Sequence, residues 1–84
     1  MNLARRYGRA RVVGLADAVH AMRVYLGSID FARVSDQQRL YTRATRAVDR
    51  VAKATGMNRN NAWSQIEAEA RRQGVIRPIP GQHL

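Results

Sequence analysis

Apolar positions recur along this chain in helical steps. Between residues 14 and 26, Leu15, Val19, Met22 and Leu26 follow one another at intervals of four, three and four, which lines one face of a helix. Ala18 and Tyr25 widen that face, and Gly27 is expected to stop the helix. Ser28 to Val34 reads as a connection in which the apolar Ile29 and Phe31 flank Asp30, with room for a short helical turn. Ser35 with Gln38 three residues on is a capping-box pattern, and no Gly or Pro interrupts the chain until Gly56. A second helix is predicted there, with Leu40, Ala44, Ala47, Val48 and Val51 as its buried stripe. After the Gly56 turn, Asn58 caps a third helix running to about Gln73. Ala62, Trp63, Ile66 and Ala70 face inward along it, and Gly74 is its stop.

These elements imply an all-α domain of three helices, or four, between residues 14 and 74. Residues 1–13 carry Arg5, Arg6, Arg9 and Arg11 around Gly8 and read as a basic arm or a frayed helix. Residues 75–84 contain Pro78 and Pro80 and are expected to be an extended or disordered tail. A chain of 84 residues leaves room for one domain with a modest core. Its apolar content is mostly alanine, valine and leucine, which suits closely packed helices.

Charge changes the picture more than any single motif. Fifteen Lys and Arg against six Asp and Glu give a formal charge of +9, so a polyanion is the leading expectation for a partner. The surplus is concentrated on the second helix, where Arg39, Arg43, Arg46, Arg50 and Lys53 recur at four, three, four and three. At about 100° per residue these five stay within roughly 40° of one line, with the apolar stripe centred about 120° away. Like charges at that spacing repel by a few tenths of a kcal/mol per pair, a cost with no folding benefit unless an anion compresses them. Asp36, near Arg39, and Asp49, flanked by Arg46 and Lys53, are the countercharges within that helix. A merely solvated face is the plain alternative.

The stretch Val51 to Ile66, VAKATGMNRNNAWSQI, carries a small residue at Ala52, glycine four positions later at Gly56, apolar Met57 next, and Ala62 near the middle of the following helix. It resembles the helix-turn-helix superfamily of DNA-binding proteins over about a fifth of the chain. The pattern departs at Gln65, where a second buried residue is usual; the apolar residue comes one later, at Ile66. The resemblance implies that the third helix presents Asn60, Asn61, Ser64 and Gln65 on its face away from Ala62 and Ile66, for contact with bases or, for Ser64, phosphates. Asn and Gln can bond adenine bidentately in the major groove, and a helix start offers free amides to a phosphate. Gly74-Val75-Ile76-Arg77 is similar to the exit into a wing strand of winged-helix regulators. With Pro78 and Pro80 next, such a wing is expected to be truncated. If instead Asn58, Asn60 and Asn61 only cap and solvate the turn, a plain helical hairpin remains.

Catalysis finds little support. Asp17, Asp30, Asp36 and Asp49 are scattered, Glu67 and Glu69 stand two apart, and no glycine-rich phosphate loop occurs. Asp17 and His20 lie one helical turn apart and read as a local surface pair, with His83 the other histidine. No cysteine is present, so neither disulfides nor thiolate zinc sites are expected, and no cofactor is called for. No stretch approaches the roughly 20 apolar residues of a membrane span, and the basic start does not read as a signal peptide, so a cytoplasmic home is expected. Trp63, at helical spacing with Ile66, reads as core rather than as a base-stacking platform.

The expected function is therefore a small basic DNA-binding protein, a transcription regulator or accessory factor, contacting duplex DNA through Arg39, Arg43, Arg46, Arg50 and Lys53. Arg59, Asn60, Asn61, Ser64 and Gln65 would join them from the third helix, and Arg5 and Arg6 from the arm. An adaptor or inhibitor docking on an acidic protein surface is the alternative, followed by RNA binding, for which an aromatic platform is missing. A homodimer is a further expectation, with Leu15, Tyr25 and Ile79 as the apolar surface seeking a partner.

Overall fold

Gly14 starts the first helix, α1 (Leu15–Ser28), in a computed structural model that describes residues 14–29 and 33–78. α2 (Val34–Thr55) and α3 (Arg59–Gln73) complete the fold, and no strand occurs among the described residues. The protein is a small all-α domain, as the periodicity predicts. Each helix packs against the other two. At 22 residues, α2 is about 33 Å long and sets the long axis of a 39 × 20 × 18 Å molecule.

One cluster unites the predicted inner faces. Ala18, Val19, Ala21 and Met22 from α1 meet Ala44, Ala47, Val48, Val51 and Ala52 from α2 and Ala62, Ile66 and Ala70 from α3. Leu40 is also buried, while Leu15, Tyr25, Leu26, Met57 and Trp63 pack partly covered against the cluster. More than half of the buried apolar side chains are alanine, so the helices approach closely and a few larger residues fill the space between them. Leu15 and Tyr25, named above as apolar surface, pack partly covered against this core, and Ile79 lies outside the described residues. The large apolar side chains that do face solvent are Ile29, Val34, Tyr41 and Val75.

The α2–α3 junction follows its local chemistry. Gly56 takes a left-handed φ of 73°, a conformation that a β-carbon disfavours, and so ends α2. The Thr55 hydroxyl donates to the Val51 carbonyl at 2.9 Å and accepts from the Met57 amide at 3.4 Å, which ties the turn to the helix it leaves. Asn58 then caps α3, its side-chain oxygen accepting from the Asn61 amide at 2.8 Å. Gly74 closes α3, its amide reaching back to the carbonyls of Ala70 and Arg71.

Three local expectations are corrected. The cap of α2 is not Ser35: the helix begins two residues earlier than such a cap would place it, Arg33 is the extended N-cap, and no side chain caps it. Asp36 occupies the first turn instead, paired with Arg33 at 3.6 Å and Arg39 at 3.2 Å, so a carboxylate at the positive end of the helix replaces the hydroxyl cap. Gly27 is not a stop either, because α1 continues through it to Ser28, whose hydroxyl donates to the Tyr25 carbonyl. The chain after Gly74 does not enter a wing strand. It crosses the end of α1, where the Ile76 amide donates to the Arg23 carbonyl at 3.0 Å and Arg23 Nε donates to the Gly74 carbonyl at 2.7 Å.

That crossing explains Gly27. A β-carbon there would stand 1.9 Å from the Ile76 carbonyl oxygen and 2.5 Å from its carbon, a clash with backbone rather than with a yielding side chain. Alanine's better helix propensity favours the substitution by about 1 kcal/mol, but displaced backbone and two lost hydrogen bonds oppose it. Gly27→Ala is expected to destabilise the domain by about 1–3 kcal/mol. The urea midpoint should fall, and the Ile76 amide should exchange faster than amides of α2. An unchanged midpoint would show that the crossing segment contributes nothing.

Candidate nucleic-acid interface

The cationic residues of α2 point outward in the line their spacing requires. Arg39, Arg43, Arg46, Arg50 and Lys53 are all exposed. Four of them, Arg39, Arg43, Arg46 and Arg50, line an open groove of about 680 Å³ between α2 and α1. Thr42 and Ala47 complete the α2 wall, and Asp17, His20, Ala21 and Val24 form the opposing wall on α1. Lys53 continues the ridge beyond the groove.

Most of the nearby carboxylates pair with arginines outside this ridge. Asp49, expected to serve Arg46 and Lys53, instead holds Arg59 of α3 in a two-pronged pair, at 2.6 Å to Nε and 2.8 Å to Nη2. The fork geometry of guanidinium on carboxylate favours this partner over a helix neighbour. Glu67 pairs with Arg71 at 3.3 Å, and Glu69 with Arg72, both within α3. Asp36 takes Arg33 and Arg39 at the end of the ridge. Among the described residues, Arg43, Arg46, Arg50 and Lys53 form no ion pair, and Asp17 forms none despite lining the groove. Asp17 and His20 do not hydrogen-bond to each other.

These pairs move the titrations in a definite sense. Hydrogen bonding from Arg39 holds the Asp36 carboxyl below the usual carboxylate range, against some desolvation, with Arg33 helping. Arg72 and then Gln73 do the same for Glu69. Carboxyls depressed in the folded state contribute stability that is present above their unfolded values near about 4 and is lost as pH falls through the folded ones. The guanidinium groups of Arg59 and Arg72 are correspondingly raised by Asp49 and Glu69.

The residues attributed to the helix-turn-helix resemblance lie outside the groove. Ala52, Ala62 and Ile66 share the core, and Met57 packs partly against it. Asn60, Asn61 and Ser64 are exposed, while Gln65 is half-buried. No α3 residue lines the arginine groove. Arg59 is bound to Asp49, and the backbone amide of Asn61, one of those at the helix start, is taken by the Asn58 side chain, while the Asn61 side chain stays exposed. Arg5 and Arg6 lie outside the described residues.

Trp63 is not a free stacking platform. Its indole N–H donates to Glu67 at 3.0 Å, and its ring sits 6.1 Å from Tyr25 and 5.6 Å from Tyr41, which are 5.4 Å from each other. The three rings stitch the three helices together, and burial, then Tyr41 and Glu67, push the Tyr25 phenol up. Sequence reasoning missed the α1 wall of the groove. Its signal was present in Asp17, His20, Ala21 and Val24, which step along one stripe of α1 beside the core face.

No group of three or more His, Cys, Asp or Glu side chains that could hold a metal occurs among the described residues. No helix among them is long and apolar enough to cross a membrane. Comparison of the chain with protein families, with curated proteins and with solved structures finds no match.

Proposed function

We propose that this protein binds duplex DNA through the phosphate backbone, with the α2 ridge as its principal contact. The observation that carries the reading is the ridge's surplus of cations: among the described residues Arg43, Arg46, Arg50 and Lys53 form no ion pair, while Asp36 holds the ridge's first arginine, Arg39, and Asp49, Glu67 and Glu69 pair with arginines of α3. Eleven residues separate Arg39 from Arg50, about 16 Å of helix, with neighbouring charges about 4.5–6 Å apart along the axis. A linear array suits a strand that offers a phosphate about every 3.4 Å better than it suits a compact anion. Asn60, Asn61 and Ser64 on the outer face of α3 are the candidate base-reading residues, acting from a surface distinct from the groove.

Titration of a labelled duplex between about 50 and 200 mM salt tests this directly, because phosphate contacts release counterions. Affinity should fall steeply as salt rises, and unlabelled non-specific duplex should compete. If the duplex is not bound at the lower salt, or an acidic protein partner stays bound in excess DNA, the DNA reading fails.

A further inference from the structure

We propose that Asp17 restrains the affinity of the arginine groove, acting as a built-in competitor of the phosphates it receives; this rests on the nucleic-acid reading above. Among the described carboxylates, Asp36, Asp49, Glu67 and Glu69 are each held in an ion pair, whereas Asp17 has none and stands in the wall facing the arginines. The start of α1 lies against the far end of the ridge, since an ideal β-carbon on Gly14 would be 3.5 Å from Arg50 Cδ. Asp17, in the first turn that follows, is therefore placed toward the Arg50 end of the groove.

Folding alone does not require a carboxylate at this place. A negative charge in the first turn of α1 is favoured by the helix dipole, yet Ala16, in the same turn and equally exposed, does not line the groove and could carry that charge. At position 17 the charge enters the groove. In the free protein it relieves repulsion among arginines one helical turn apart. When a strand enters, that attraction is given up and a like charge faces the phosphates. Asp17 thus lowers affinity for any phosphodiester strand without reading its bases, which keeps binding reversible.

The test compares Asp17→Asn with Glu69→Gln in the full chain, each raising the net charge by one. Glu69 pairs with Arg72 on α3, away from the groove, and so controls for charge as such. Asp17 is exposed and Glu69 partly covered, and circular dichroism verifies that both chains remain helical. A labelled duplex of random sequence is titrated at about 50 and 200 mM salt. Asp17→Asn should tighten binding by about two- to fivefold at the lower salt, with the gain shrinking as screening rises. Glu69→Gln should move affinity less. Unchanged or weaker binding by Asp17→Asn overturns the proposal, as does an equal gain from Glu69→Gln. Failure of the unsubstituted chain to bind duplex overturns the proposed function and the Asp17 role with it, and is distinguishable from both.

Discussion

Replacing Ile66 with alanine is expected to remove about 2–5 kcal/mol of stability. Ile66 is 1% exposed and among the largest fully buried side chains in the domain. Its neighbours in the cluster are mostly alanines and valines, and Ala62 and Ala70 flank it one turn away on α3. Short side chains cannot swing into the vacated space, so the cavity persists and the cost belongs in the upper part of that range. Native domains hold only about 5–15 kcal/mol in total, and a chain of this size sits toward the low end. Urea denaturation and thermal melting of Ile66→Ala should show a midpoint lowered by roughly 10 °C or more. Ser64→Ala, on the exposed face of the same helix, should stay within about 0.5 kcal/mol of the parent. If the two variants melt alike, α3 is not seated on the core by Ile66.

The fold was legible where a single physical rule governed an element. Helical steps marked the inner faces of all three helices, and the Gly56 and Asn58 pair marked the α2–α3 turn, because backbone conformation and capping are settled within a few residues. Rules that depend on partners distant in sequence were not legible. Gly27 looks like a helix stop until the backbone at Ile76, 49 positions later, is seen to need its missing β-carbon. Ser35 and Gln38 form a capping pattern, but the helix starts two residues earlier, at an Arg33 cap with Asp36 in its first turn.

The candidate site shows the same division. Spacing along α2 was enough to align the ridge, since it concerns one helix. Which carboxylate answers which cation was not, because Asp49 has ridge neighbours on its own helix yet pairs with Arg59 ten residues on, across the turn. That exchange withdraws Arg59 from the expected interface and leaves Arg46 and Lys53 without the partner their sequence suggested. The groove itself is a property of two helices, so only the structure could set Asp17 and His20 opposite the arginines.

Arg43→Ala with Arg46→Ala should leave the fold intact and weaken duplex binding strongly. Both side chains are exposed, neither forms an ion pair among the described residues, and both line the middle of the groove. Removing them also relieves repulsion along the ridge, so melting should be unchanged or slightly raised. If each touches one phosphate, the slope of log affinity against log salt falls by about 0.9 per lost contact, nearly two units for the pair. The loss should be similar for every duplex sequence, because phosphates carry no base information. Asn60→Ala is expected to behave oppositely, costing about 1–3 kcal/mol on a preferred site and little elsewhere, as the loss of a side-chain amide that bonds a base edge would. A double variant that keeps the parent's affinity and salt slope would remove the ridge from the interface. Loss of affinity with an unchanged slope would mean that the two arginines act on shape rather than on phosphate charge.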